Sequence, residues 1–347
     1  MKAKTTPARL PEQGEGGTQQ PKKRLTTSAM IASLAAPGQR TKPAPFGHAL
    51  VAEAAKRPEI VGLTADLAKY TDLHIFAKAH PERFYQMGMA EQLLMSASAG
   101  LAREGFMPFV TTYAVFAARR AYDFICLAIA EESLNVKIVC ALPGLTTGYG
   151  PSHQATEDIA IFRGMPNLVI LDPCDAHEIE QVVPAIAAYD GPVYMRLLRG
   201  NVPLVLDQHD YRFELGKAKL IQDGRDVLVI SSGFMTMRAL EAVDLLRHDN
   251  VDVGVLHVST IKPLDEATIR REAAKSGRLV VVAENHTVVG GLGEATAGVL
   301  LRAGIAPKAF RQVALPDEFL LAGALPTLHD HYGISAAAMA QSIKGWL

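Results

Sequence analysis

Three segments of this 347-residue sequence carry side chains whose types and spacing suit chemistry, and each lies beside a run that reads as a strand. In the first, Phe84-Tyr85-Gln86-Met87-Gly88-Met89-Ala90-Glu91-Gln92, a glycine turn leads to an acid that opens a helix. Taken alone, Glu91 is a first-turn carboxylate complementing the helix dipole. The second, residues 111–116, sets Tyr113 and Phe116 three apart, the spacing of one helical face and of ordinary core aromatics. The third, residues 144–154, is a glycine-rich loop that includes Tyr149 and ends in His153-Gln154 before a helix. Such loops often hold catalytic groups, although a lone histidine serves structure more often. Two further segments invite chemistry and fall short of it. Gly290-Gly291-Leu292-Gly293 follows Glu284-Asn285-His286 but lacks the full GxGxxG spacing and the acid ~20 residues on that a dinucleotide site needs. His329-Asp330-His331 has no partner cluster for a metal and reads as solvated polar residues.

These segments need a scaffold that presents loops on one side. Residues 136–141 and 168–171 are apolar without polar alternation, as in parallel strands buried on both faces. Around them, strands over 60–63, 109–112 and 193–196 alternate with helices over 48–56, 90–104, 117–130 and 176–188. That alternation predicts a doubly wound α/β sheet, whose ligands collect beyond the carboxyl ends of the strands. The pattern breaks across the polar stretch 201–215 and restarts with strands at 227–231, 253–258 and 279–283. Helices over 235–247, 266–276 and 294–302 accompany them. The expectation is therefore two consecutive α/β domains with mainly parallel sheets: a first over 46–205, a linker over 206–216 and a second over 217–347.

Composition excludes several function classes. Hydrophobic residues make up 49% and charged residues 20%, enough for a large core, and the formal net charge is −1. A protein built around a basic nucleic-acid surface is excluded by that balance. No apolar run approaches the ~20 residues that span a bilayer. Cys126, Cys140 and Cys174 are odd in number and show no CxxC spacing, so neither a disulfide framework nor a structural zinc site is expected, and a reducing cytoplasm fits. Residues 1–45 stand apart, with eight basic and two acidic residues and six prolines. The segment reads as a disordered basic tail; a transit peptide is the other account of it.

Taken together the three loops match a family. Pro81-Glu82-Arg83-Phe84 through Gly88-Met89-Ala90-Glu91-Gln92 resembles the RF…GIAEQ segment of transketolases. So do Thr112-Tyr113-Ala114-Val115-Phe116, Asn135-Val136-Lys137-Ile138-Val139, Gly150-Pro151-Ser152-His153-Gln154 and Gly191-Pro192-Val193-Tyr194-Met195-Arg196. Thr260-Ile261-Lys262-Pro263-Leu264-Asp265 and Gly290-Gly291-Leu292-Gly293 extend the match into the second domain. The resemblance runs from about residue 46 to the end of the chain, and it is specific as a set. A full-length transketolase also has a preceding domain that binds the diphosphate of thiamine diphosphate and its divalent metal through a GDG…N signature. Gly-Asp-Gly occurs nowhere here. The chain thus resembles the C-terminal subunit of a split transketolase, with a pyrimidine-binding domain and a C-terminal domain.

The resemblance implies thiamine diphosphate as cofactor, with Mg²⁺ or Ca²⁺ ligated by a partner chain. The partner would be an N-terminal transketolase subunit in an α2β2 heterotetramer, in which this chain also associates with itself. Small sugars would be the substrates, with no nucleic acid and no membrane involved. Glu91 matches the carboxyl group that bonds pyrimidine N1′, a role that burial favours by raising a carboxyl pKa. Phe116 matches the ring that stacks on the pyrimidine, with Tyr113 on the same wall, and Asp66 matches an acid near the thiazolium. His153 matches the histidine facing the substrate in two-carbon ketol transfer. Arg199 matches an arginine that grips the distal phosphate. Two departures predict an atypical substrate, such as a branched ketose phosphate or a sugar with another anionic tail: Ala141 stands where the family commonly has a histidine, and Tyr149 where it has an aspartate. The alternatives are a β subunit of a 2-oxoacid dehydrogenase, a deoxyxylulose-phosphate-synthase-like half, a non-catalytic subunit that kept the fold, and a plain NAD-binding protein.

Overall fold

The structure, a computed structural model, describes residues 34–347 apart from 37 and 276. The basic-tail expectation for residues 1–33 lies outside the described residues. In chain order the first half contributes strands β1 (Thr41–Pro43), β2 (Ile60–Thr64), β3 (Phe84–Gln86), β4 (Met107–Tyr113), β5 (Lys137–Ala141), β6 (Val169–Leu171), β7 (Val193–Leu197) and β8 (Asn201–Pro203). The second half contributes β9 (Lys219–Gln222), β10 (Val227–Ser231), β11 (Val253–His257), β12 (Thr260–Lys262), β13 (Leu279–Thr287) and β14 (Ala309–Leu315).

A seven-stranded sheet runs β12-β6-β7-β5-β4-β2-β3, and a five-stranded sheet runs β14-β13-β10-β11-β9. Both are parallel except for one antiparallel edge strand each, β12 and β9. Strands β2, β4, β5, β6, β7, β10, β11 and β13 are buried along their whole length. Their Val/Ile/Leu-rich runs follow from having helices on both faces. The protein is thus two consecutive α/β domains with mainly parallel sheets, although β12, from the second half, completes the sheet of the first.

Two elements depart from the expected pattern. Thr41–Pro43 is not an unpacked tail: β1 pairs antiparallel with β8, Thr41 opposite Pro203. The single helix expected over 117–130 is three pieces: helix Ala114–Arg120, then, beyond the non-helical φ of −118° at Ala121, a helical turn Tyr122–Ile125 that runs directly into a π-helical turn Cys126–Ala130. The alanine-rich run contains no proline or glycine to mark that break.

A buried ionic network fastens the two halves. Arg196, at the end of β7, donates Nε to Asp158 Oδ2 (2.9 Å) and Nη2 to Asp158 Oδ1 (3.0 Å), and Nη1 reaches Asp172 Oδ2 at 3.2 Å. The second half closes the cage: Arg196 Nη2 also donates to Asn285 O (2.9 Å), and Ser232 Oγ donates to Asp172 (2.8 Å). Removing one partner from such a pair leaves an uncompensated buried charge, at a cost of about 3–5 kcal/mol.

Candidate functional site

Parallel strands aim their carboxyl ends the same way, so the loops after β2, β3, β4, β5 and β7 gather on one side of the first sheet. Every residue singled out there lies on that side. Asp66 follows β2, Glu91 follows β3, Tyr113 ends β4, Ala141 ends β5 opposite Tyr113, and Arg199 follows β7.

Glu91 is the first residue of helix Glu91–Arg103, whose N-cap, Ala90, offers no side-chain acceptor. Its carboxylate is 4% exposed and accepts from Arg120 Nη1 at 3.1 Å. The loop before it is fixed from both sides. Gln86 Oε1 accepts from the backbone N–H of Asp66 (2.7 Å) and of Gly88 (3.2 Å), while Gln86 Nε2 donates to Asp66 Oδ1 (3.1 Å). Asp66 is left-handed, with φ 58°, a conformation a short polar side chain tolerates.

Beside Glu91 stands a cluster of rings. Tyr113 and Phe116 have centroids 5.6 Å apart, and His153 packs edge-on against both, at 6.0 and 5.5 Å. Tyr149 also packs on the imidazole, tilted, with centroids 5.2 Å apart. Burial, and then the nearby Arg120 charge, hold the His153 pKa below its usual value, so the neutral ring is favoured. Ser152 Oγ lies 2.9 Å from His153 Nδ1. Arg199 sits 5.8 Å from the Tyr70 ring and near enough to Tyr113 to oppose the rise that burial imposes on that phenol. It also lines a cavity of about 80 Å³ with Leu142, Thr146 and Leu198. Ala141 is fully buried.

The second domain braces the loop that carries His153. Asn285 accepts from Leu145 N–H (2.8 Å) and donates to Pro143 O (3.0 Å), while Gln154 Nε2 donates to Leu321 O (3.1 Å). A Cβ on Gly144 would sit 2.2 Å from Asn285 O, and one on Gly148 2.0 Å from Gly323 O. The glycines of this loop therefore admit the neighbouring domain's backbone. His329 is a correction to the expected solvated polar residues: it is buried, stacks on Phe234 at 5.4 Å and bonds Leu145 O at 2.8 Å. Burial pushes its pKa down to about 4, so it is a neutral structural donor. The Gly290–Gly293 turn likewise wraps a carboxylate: Leu292 and Gly293 N–H groups donate to buried Glu284 at 2.6 and 2.8 Å. A Cβ on Gly291 would meet Glu284 Oε2 at 2.0 Å, which leaves no room for the pyrophosphate of a dinucleotide.

One residue escaped the sequence reading. Arg120, besides bonding Glu91, lays its guanidinium 3.9 Å from the Phe116 ring centroid. The signal was present: Phe116 and Arg120 are four apart in one helix, and such residues share a face. Among the described residues no group of three or more His, Cys, Asp or Glu is placed to hold a metal, and no helix is long and apolar enough to cross a membrane.

Two α/β domains, with an acid, a ring cluster and an arginine gathered at the strand ends of the first, define the class structurally. Comparison with known proteins defines it further. Residues 43–205 match the family "Transketolase, pyrimidine binding domain" and residues 216–339 match "Transketolase, C-terminal domain". An uncharacterized transketolase family protein of Sinorhizobium fredii is 75% identical over 324 residues, covering 93% of this chain and 94% of its own length. A 6-deoxy-6-sulfo-D-fructose transketolase subunit of Clostridium sp. is 38% identical over 83% of this chain and 88% of its own. The 1-deoxy-D-xylulose-5-phosphate synthase of Heliobacterium modesticaldum is 33% identical over 85% of this chain, which matches 45% of its length. Among solved structures, one described as a split gene transketolase, an inactive beta4 tetramer, superposes with TM-score 0.78 at 39% identity, covering 89% of this chain and 98% of that one. The chain belongs to the transketolase family.

Proposed function

We propose that this chain is the pyrimidine-binding subunit of a two-chain transketolase, which moves a two-carbon ketol unit from a ketose to an aldose. The observation that carries the reading is a buried carboxyl group, Glu91, and the ring of Phe116 set so that one side chain, Arg120, reaches both, beside a histidine whose neutral form is favoured. Those residues fit the aminopyrimidine of thiamine diphosphate. A carboxyl shielded from water can share a proton with a ring nitrogen, and an aromatic face supports a flat heterocycle. The cofactor, when bound, supplies the carbanion chemistry. The residues of this chain orient it and handle protons. Glu91 would hold the proton at N1′; Tyr113 and Phe116 would wall the ring; Asp66 would lie near the thiazolium. His153, neutral and facing the ring cluster, would bond hydroxyl or carbonyl oxygen of the sugar. Arg199 would take the anionic end of the substrate beside its cavity.

The diphosphate and its Mg²⁺ or Ca²⁺ would belong to a second polypeptide, in an α2β2 assembly with paired copies of this chain, working in the cytoplasm. The split-gene structural relative supports that division of labour. The departures at Ala141 and Tyr149 support a sugar other than the ordinary linear phosphates. The relative named as a 6-deoxy-6-sulfo-D-fructose transketolase subunit supports an anionic tail other than phosphate. Kinship with the synthase favours a second reading, in which the donor is pyruvate.

One experiment separates them. The purified chain is assayed with thiamine diphosphate and Mg²⁺, alone and with the diphosphate-binding subunit, on a panel of ketose donors and on pyruvate. Ketol transfer only in the two-chain mixture is the expected result. Full transfer by this chain alone refutes the split-site reading, and decarboxylation of pyruvate in place of ketol transfer refutes the transketolase reading. Xylulose 5-phosphate with ribose 5-phosphate as far the best pair refutes the atypical substrate.

A further inference from the structure

Arg120 makes two contacts that share one geometric theme. Its guanidinium lies over Phe116, with Cζ 3.9 Å from the ring centroid, and its Nη1 donates to Glu91 Oε1 at 3.1 Å. A planar group stacked on Phe116 and donating an N–H to the buried carboxylate also describes the protonated aminopyrimidine. The two groups need the same ring face and the same carboxylate oxygen, and one site cannot hold both. Arg120 is free to yield the position, because its side chain is 51% exposed whereas that of Glu91 is 4% exposed. Arg119, its neighbour, is tied elsewhere, donating to Pro151 O at 2.8 Å and pairing with Glu157.

We propose that Arg120 occupies the pyrimidine position in the free subunit, neutralising Glu91 and covering Phe116, and that the cofactor binds by displacing it. The inference rests on the proposed thiamine diphosphate site. Without Arg120, which among the described residues is the cation hydrogen-bonded to Glu91, the subunit awaiting cofactor would hold a buried, uncompensated carboxylate and an uncovered ring face; both are costly. With it, the empty site is satisfied, and cofactor affinity is reduced by the fraction of molecules in which the guanidinium has moved out. A half-exposed ion pair and one guanidinium–ring contact are each modest interactions, so that fraction costs roughly five- to thirtyfold in affinity.

The test measures the dissociation constant of thiamine diphosphate with Mg²⁺ by calorimetry in the two-chain complex, for the unmodified protein, Arg120→Met and Arg120→Lys. Arg120→Met should bind about five- to thirtyfold more tightly. Arg120→Lys should fall between, since it keeps the charge near Glu91 and loses the plane over Phe116. A second readout needs no cofactor. In the chain alone, Arg120→Met should lower the midpoint of thermal unfolding, and adding Glu91→Gln to it should recover most of that loss, because the unpaired charge is gone. Unchanged or weakened cofactor binding in Arg120→Met overturns the inference and leaves the thiamine site standing. Absence of binding by the unmodified complex overturns both.

Discussion

Replacing Glu91 by glutamine separates the two roles that its position permits. As the first residue of helix Glu91–Arg103, with no side-chain cap at Ala90, the carboxylate complements the helix dipole, a contribution of about 0.3–1 kcal/mol. The ion pair with Arg120 adds up to about 1 kcal/mol, discounted because the arginine is half exposed. Against both stands the cost of burying the charge, which the amide escapes. The net effect of Glu91→Gln on folding is therefore within about 2 kcal/mol. Its effect on proton transfer has a different scale. The amide keeps shape and one acceptor oxygen but has no proton to share. Losing a positioned acid–base group slows the step it serves by about 10²–10⁴-fold, equivalent to about 3–5 kcal/mol. The assay is hydrogen–deuterium exchange at thiazolium C2 in the two-chain complex, run beside thermal unfolding of the chain alone. The expected pair of results is exchange slowed by at least a hundredfold with the fold retained. An unchanged exchange rate with a modest loss of stability would reduce Glu91 to a helix-terminus carboxylate and refute the reasoning.

Two further outcomes test the scaffold. Lys137, fully buried at the start of β5, donates Nζ to Tyr189 O and Gly191 O, both at 2.7 Å, and burial pushes its pKa down to about 7. Between pH 7 and the unfolded value of 10.5 only the unfolded chain holds that proton, so stability relative to Lys137→Met should rise with pH, by about 2 kcal/mol from pH 7 to 9; a pH-independent difference in urea midpoints refutes this. Gly291→Ala should cost about 1–3 kcal/mol, because its Cβ meets a carboxylate held by two backbone N–H groups, whereas Gly293→Ala should cost less because it meets the movable end of Gln312; equal losses in urea unfolding would contradict the argument.

What the sequence made legible follows from which interactions are local. The strand Val227–Ser231 and the helix Ala176–Ala188 stand where the periodicity puts them, because burial on both faces and an amphipathic stripe are each written into consecutive residues. The convergence of Glu91, Tyr113, Phe116 and His153 was legible for a similar reason: parallel strands carry their following loops to one side. Non-local pairings were not legible. Three residues, Thr260–Lys262, join the sheet of the other half through antiparallel pairing with β6. Asn285, His329 and Gly323 hold the His153 loop from more than a hundred residues away. No pattern within either segment announces such a contact.

The same distinction bears on what surrounds Glu91. A carboxyl group shares a proton with a ring nitrogen only where water is kept away, and Glu91 itself is well shielded. Its surroundings are not. Arg120, over Phe116, is half exposed, and the apolar side chains that flank Glu91 in sequence face solvent, with Met89 81% and Leu93 53% exposed. Exposed apolar side chains beside a functional group mark a surface that something else covers. On the proposed reading that cover is the diphosphate-binding chain, which would dry the site as it delivers the cofactor. On the same reading Arg120 has a reason to be where it is: until such a chain arrived, Glu91 would lie beside an open edge, and the guanidinium satisfies it there.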